Sequence, residues 1–360
     1  MLTECHTNIQ KNPIMKIRFL HTLFLTTIAL FFFSCSNQQG TPVHKSISGK
    51  PGELVVVISK ENWANEPGKL IRDVIAQPQQ GLPQEEPLFT LTDVPKQAFK
   101  DIFKSTRNII TTNISSSVEK PGVVYRDNVW ASPQATVTIN AKTPVQFVQI
   151  FNKNSDKIIS YLLNREKKRL METYKRIHEN TVLNTLRDKY GMTMLTLPGF
   201  KVAEEYEDFL WLKYETPEIS QGIFVYWFDY NSDSIFTAEY LLHKRNELFN
   251  KFVPGQLDGT YMTTEMEIEP VFNIFEHNGN YAAEMRGLWK VYGDFMGGPY
   301  VLLAELDASR QRVVVADGFV YAPSKDKRNL LRQVEAMIYS LEFNDQEKND
   351  KINSEIKMGN

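Results

Sequence analysis

Apolar and polar positions alternate along this chain with two different periods, and the changeovers between them mark its elements. Residues 53–58, Glu-Leu-Val-Val-Val-Ile, form a continuous β-branched run of the kind found in a strand covered on both faces. Over 68–77, Leu70, Ile71, Val74 and Ile75 fall on one stripe and predict a helix. A Pro- and Gly-rich loop follows at 78–87 and a short strand at 88–91. Asp93 is then placed to cap a helix whose Phe99, Ile102 and Phe103 face inward. Strands are expected at 108–113, 122–130 and 135–141. Thr143-Pro144-Val145-Gln146 joins a capping-box Thr and Gln to a first-turn Pro, so a helical pattern starts there. It runs to Tyr190 with an interruption at 152–155.

The second half is richer in strands. Four are expected at 192–197, 201–206, 209–214 and 222–230, then a helix at 236–252 stopped by Pro254-Gly255. Five more suit 261–268, 272–277, 281–291, 300–307 and 312–321, with Asn278-Gly279 as a hairpin turn. Ser324 is placed to cap a last helix whose Leu330, Leu331, Val334, Met337, Ile338 and Leu341 share one stripe. This pattern predicts an α+β protein of antiparallel sheets backed by helices, with two sub-domains joined by a long helical segment. The expected divisions are a signal peptide at 1–34, a lipidated tether at 35–52 and an N-terminal sub-domain at 53–142. A helical segment at 143–190, a C-terminal sub-domain at 191–344 and a charged tail at 345–360 complete them.

The front of the chain changes that picture. Lys16 and Arg18 follow Met15, residues 19–33 are largely apolar, and Ser34-Cys35 precedes an abruptly polar stretch. Positive flank, short apolar run and small residue before the cut describe a secretory signal peptide, with 1–14 an over-called start. The run is too short to span a membrane comfortably. Phe32-Phe33-Ser34-Cys35 resembles the lipobox of bacterial lipoproteins, in a relaxed form, which implies that Cys35 carries palmitate-type acyl chains. The alternative is a plain secretory signal with a chance cysteine. No acidic run follows Cys35, so the anchor is expected to face the periplasm from the outer membrane. Cys5 and Cys35 are the only cysteines, which excludes a disulfide framework or a cysteine metal site beyond position 35.

Charge narrows the partners. Lys plus Arg number 41 against 43 Asp plus Glu, so nothing supplies the positive field that nucleic-acid binding needs. Arg165-Glu166-Lys167-Lys168-Arg169 is accordingly expected to be a solvated helix face. No cofactor is expected, since phosphate-loop, dinucleotide and nucleophile-elbow motifs are missing from the sequence. His178-Glu179 lacks the second His of a zinc-hydrolase motif, and His44, His243 and His277 are not spaced for joint ligation. Ser324-x-x-Lys327 matches one motif of penicillin-binding enzymes, but Ser232-Asp233-Ser234 and Lys142-Thr143-Pro144 match the others poorly and lie upstream. Asp229, Asn231 and Asp233 alternate as in the first half of a calcium loop, but Ser234 and Tyr240 replace its Gly and Glu. Glu265, Glu267 and Glu269 would share the outer face of a strand, and the aromatic run at 224–230 would fill a sheet face rather than stack on sugars.

Three groups of residues carry a family resemblance. They are Pro83-Gln84-Glu85-Glu86-Pro87-Leu88-Phe89 with Arg107-Asn108-Ile109, then Met285-Arg286-Gly287-Leu288-Trp289 with Asp294-Phe295-Met296-Gly297-Gly298-Pro299-Tyr300, and Gly318-Phe319-Val320-Tyr321-Ala322-Pro323. Together they resemble a Bacteroidota family of predicted lipoproteins catalogued only as a domain of unknown function. The layout of the second half is also similar to the PsbP/Mog1 fold. The resemblance implies a lipoprotein and supplies no activity. Gly297-Gly298-Pro299 is expected to be a tight turn, with Trp289, Asp294 and Tyr300 around it. Arg286, on an apolar strand, is either paired with a carboxylate or exposed, and the four residues form the candidate binding surface. The expected function is a membrane-anchored envelope lipoprotein, a non-catalytic binding or assembly module for an envelope protein or small ligand. The rival is a carboxylate-dependent hydrolase of cell-wall or glycan material. A deep cleft with two converging carboxylates favours the second, and a shallow surface the first.

Overall fold

The computed structural model describes residues 45–344. The signal segment, Cys35, the start of the tether and the tail at 345–360 lie outside the described residues. The first half comprises β1 (Lys45–Ser46), β2 (Glu53–Val57), α1 (Lys60–Ala64), α2 (Glu66–Ile75), β3 (Thr90–Val94), α3 (Asp101–Lys104), β4 (Asn108–Ile114), β5 (Gly122–Asp127), β6 (Ala131–Ser132) and β7 (Ala135–Ala141). Five of these strands form a sheet in the order β3-β2-β4-β7-β5. The sheet departs from the antiparallel expectation: β2 runs parallel to β3 and β4, and β4 to β7, leaving only β5 antiparallel. The reason is visible in β2 itself, which is buried on both faces. Leu54 and Val56 pack with Ile71, Ile75 and Phe147, whereas Val55 and Val57 pack with Ile109, Phe99 and Trp130. Asp93 lies within β3 instead of capping a helix, and Ile102 is 76% exposed while Phe99 and Phe103 pack inward.

One uninterrupted helix, α4 (Pro144–Arg176), links the halves and is followed by α5 (Asn180–Tyr190). The Thr143 hydroxyl accepts from the Gln146 N–H at 3.2 Å, and Gln146 in return accepts from the Lys142 N–H at 2.7 Å. The expected interruption at 152–155 does not occur. Phe147, Phe151, Ile158 and Leu162 keep the buried stripe in phase across it, and Asn154 and Ser155 bond back to carbonyls of their own helix.

The second half comprises β8 (Met192–Thr193), β9 (Lys201–Glu205), β10 (Phe209–Glu215), β11 (Ser220–Asp229), α6 (Ala238–Phe252), β12 (Tyr261–Thr264), β13 (Val271–His277), β14 (Asn280–Tyr292), β15 (Gly297–Asp307), β16 (Arg312–Tyr321), α7 (Arg328–Ile338) and β17 (Glu342–Phe343). Its large sheet runs β12-β14-β15-β16-β11-β10-β9, with β13 also on β14, and every pair is antiparallel. Ile223 and Val225 of β11 face α5 and α7, whereas Phe224 and Tyr226 face α6 through Phe249. The aromatic run is therefore core, and the chain is an α+β protein whose larger sheet carries helices on both faces.

Three local expectations are corrected. Glu265, Glu267 and Glu269 lie in the turn after β12, not along a strand. Ser324 does not cap α7, whose first N–H groups are instead reached by Glu86: its carboxylate accepts from the Lys327 N–H at 2.6 Å and the Arg328 N–H at 2.9 Å. Gly297-Gly298-Pro299 is strand, not turn, and the turn sits earlier, at Gly293 with φ +81°. The glycines are needed there for close approach. A Cβ on Gly298 would lie 2.2 Å from the Val320 carbonyl oxygen and 3.0 Å from the Trp289 indole nitrogen.

Candidate functional site

Helix α7 has two buried stripes. Leu331, Val334 and Ile338 lie on the large sheet, whereas Arg328, Arg332, Glu335 and Tyr339 follow at helical spacing toward α4 and the loop at 76–89. Where this charged stripe meets α4, β13 and β14, a cleft of about 520 Å³ opens. Its walls are polar: Gln77, Gln79 and Gln80 from the loop, Ser160 and Asn164 from α4, and Asn273 from β13.

Carboxylates converge in this cleft, and cations hold them. Glu284 takes two hydrogen bonds from Arg286, each 2.7 Å, and a short one from the Tyr339 hydroxyl. Glu335 pairs with Arg286 at 2.8 Å and with Lys167 at 2.8 Å. Burial alone would raise the Glu335 carboxyl, but Arg286 and Lys167 outweigh it and hold the group well below the usual carboxylate range. Burial would likewise lower Arg286, and Glu335 and Glu284 reverse that, raising it well above its ordinary value. Burial, and then the Glu284 charge, push the Tyr339 phenol far up, so it stays a donor.

On the α4 wall of the cleft, which Glu166 and Lys167 both line, the charged run is not the solvated face expected. Glu166 and Arg169 are buried. Glu166 takes two 2.9 Å bonds from Arg107, one of 2.8 Å from Arg169 and one of 2.6 Å from Asn108. Burial alone would raise this carboxyl, and Arg169 and Arg107 together hold it below the usual range. Lys167, next along, stands 3.4 Å over the Tyr339 ring.

The four candidate residues do not share one surface. Arg286 lies in the cleft, paired with carboxylates as one of the two sequence readings allowed. Trp289 lines a separate, mainly apolar pocket of about 250 Å³ with Trp211, Phe319 and Tyr321. Asp294 is half-buried on the turn, where it accepts from the Phe295 N–H at 2.6 Å. Tyr300 is buried beneath Arg245, whose guanidinium lies 3.9 Å from its ring and pairs with Asp317 at 2.6 Å. Asp229, Asn231 and Asp233 are exposed, and Asp233 accepts from the Tyr230 hydroxyl. Among the described residues, no group of three or more His, Cys, Asp or Glu is placed to hold a metal ion. His178 and His277 are tied to the Tyr174 carbonyl and to Glu305. Lys327 bonds to Gln84 at 2.9 Å and to the Lys325 carbonyl, away from Ser324.

Glu166, Glu284, Arg332, Glu335 and Tyr339 escaped the sequence reading. One signal was present: the second stripe of α7 is a regular Arg-Arg-Glu-Tyr series, but a polar stripe opposite an apolar one ordinarily reads as solvated. Among the described residues, no helix is long and apolar enough to cross a membrane.

Residues 179–340 match a family model described as a domain of unknown function (DUF4837), and residues 47–175 match a second, also a domain of unknown function (DUF8532). The boundary between the two matches falls just after α4. No curated protein matches the chain. Thirteen chains of solved structures match, among them the human StarD13 (DLC2) lipid transfer and protein localization domain. That domain is 8% identical, with 39% of this chain and 89% of that one covered at a TM-score of 0.21, a fit too low to carry an argument about fold or ligand.

Proposed function

We propose that this chain is a cell-envelope lipoprotein, anchored to the periplasmic face of the outer membrane through Cys35, and that it acts as a non-catalytic binding module. The cleft between α4 and α7 is the binding site. The observation that carries this reading is the state of the cleft's carboxylates. A general acid must keep a proton near working pH, whereas Glu335 is held ionised by Arg286 and Lys167. Glu284 already accepts from Arg286 twice and from Tyr339. A hydrolase needs a freer carboxyl than either, so their convergence favours a rigid wall over an acid–base pair. The glutamines and asparagines around them offer hydrogen bonds in both directions, which suits a polar ligand or an extended protein segment. The lipobox and the resemblance to Bacteroidota lipoproteins support the anchor.

A photo-crosslinking residue at Asn164, exposed on the cleft wall, tests the site in intact cells. The expected outcome is a discrete adduct that a probe at Lys251, on α6, does not give. Equal labelling from both positions, or none from Asn164, overturns the assignment.

A further inference from the structure

Buried and half-buried cations along the charged joint have carboxylates in contact: Arg107 and Arg169 share Glu166, Arg286 has Glu284 and Glu335, and Lys167 has Glu335. Arg332, 7% exposed on the cleft wall, breaks the pattern. Among the described residues it has no ion pair. Its Nη2 donates to two neutral acceptors, Gln79 Oε1 at 3.0 Å and the Leu88 carbonyl at 2.7 Å, and its Nη1 is buried with no partner. Arg328, one turn earlier, also lacks an ion pair and donates to the Pro87 carbonyl at 2.6 Å and to Thr90. The two guanidinium groups converge on Gly52, where an added Cβ would lie 2.8 Å from Arg328 Nη2 and 3.2 Å from Arg332 Nη1. Burial, with Arg328 adding to it, pushes the Arg332 guanidinium down to about 10, against the opposing pull of Glu166 and Glu335. Two like charges facing one another out of water are costly, and Glu86, Glu166 and Glu335 offset that cost without an ion-pair contact to either guanidinium.

We propose that the Arg332 end of the cleft recognises an oxyanion, a carboxylate or phosphate group carried by the ligand, which replaces Gln79 as the acceptor on the guanidinium. This rests on the cleft being the binding site. Gln79 suits the exchange because it is a neutral, half-buried acceptor on the loop that forms the cleft rim. The Leu88 carbonyl stays as the second acceptor and holds the planar guanidinium in place, a group whose forked donors match carboxylate and phosphate alike. Glu166, Glu284 and Glu335 line the same cleft with their charges held by other cations, and they repel an anion from every position except the Arg332 guanidinium itself.

Thermal melting of the full chain, titrated separately with inorganic phosphate and with succinate against sodium chloride of equal ionic strength, tests the proposal. At least one probe should raise Tm saturably, by about 3 °C at about ten times its Kd, and which probe does so separates the two chemistries. Arg332→Gln should abolish the rise and Arg332→Lys retain part of it. Gln79→Glu supplies the carboxylate from within, so it should melt higher than the parent and no longer respond to either probe. A parent chain that responds to neither probe overturns the proposal. So does a Gln79→Glu variant that melts lower and still responds. If Arg332→Gln loses the anion response but keeps the Asn164 adduct, the anion contact is real and separate from the partner contact. Loss of the Asn164 adduct in the parent chain would instead overturn the binding-module reading itself.

Discussion

Replacing Glu166 by Gln should remove about 3–5 kcal/mol of folding free energy, a large part of the roughly 5–15 kcal/mol that a natural domain has in total. The shape of the side chain is conserved, so packing contributes little to the loss. What changes is charge and donor count. Arg107 and Arg169 are both buried, with side chains 10% and 7% exposed, and Glu166 is the carboxylate they share. An amide there presents an N–H₂ group toward guanidinium donors and leaves two buried cations without a counter-charge. Urea unfolding should show a lower midpoint at unchanged slope. A loss below about 1 kcal/mol would mean that water already screens the network. The pH dependence has a definite sign. Glu166 and Glu335 are held below the ordinary carboxylate value of 4.5 in the folded state. Their contribution is therefore complete above that value and is lost as pH falls through the lower, folded-state values. Acid should destabilise the parent more steeply than Glu166→Gln.

Cys35→Ser should release the protein from the membrane entirely. One acyl chain holds a protein only marginally, at about 0.8 kcal/mol per buried methylene, whereas several chains on one terminal cysteine make a lasting anchor. The chain is slightly acidic overall, with formal net charge −2, so attraction to anionic headgroups offers no substitute. The parent should incorporate a palmitate analogue and partition into the detergent phase, and the variant should do neither. Persistent labelling of Cys35→Ser would dispose of the anchor.

How far the fold was legible depended on how local each determinant is. Strands at 135–141 and 312–321 are readable to the residue because the code for a strand, a β-branched and apolar run between turn signals, lies within it. At 152–155 four polar residues look in sequence like a break in helix α4, although Phe151 and Ile158 keep the buried stripe in phase. The parallel pairing of β2 with β3 and β4 was hinted at by its unbroken β-branched run, but strand order is a long-range fact. The site was hardly legible at all. Glu166 meets Arg107 across 59 residues, and Lys167 meets Glu335 from the far end of the fold. A charged run looks the same in sequence whether water or buried counter-charges neutralise it. Gly298 looks in sequence like a turn glycine, whereas the chain needs room for Trp289 and Val320 there.

Titration of the Glu335 side-chain carboxyl by ¹³C NMR in the folded protein, assigned against Glu335→Gln, probes the premise of the binding-module reading most directly. Clamped by Arg286 and Lys167, the group should show no chemical-shift change from about pH 8 down to about pH 4, below the usual Glu midpoint of roughly 4.3. A midpoint at or above that usual value would mean a carboxyl free to carry a proton, and would contradict the account in favour of acid–base chemistry.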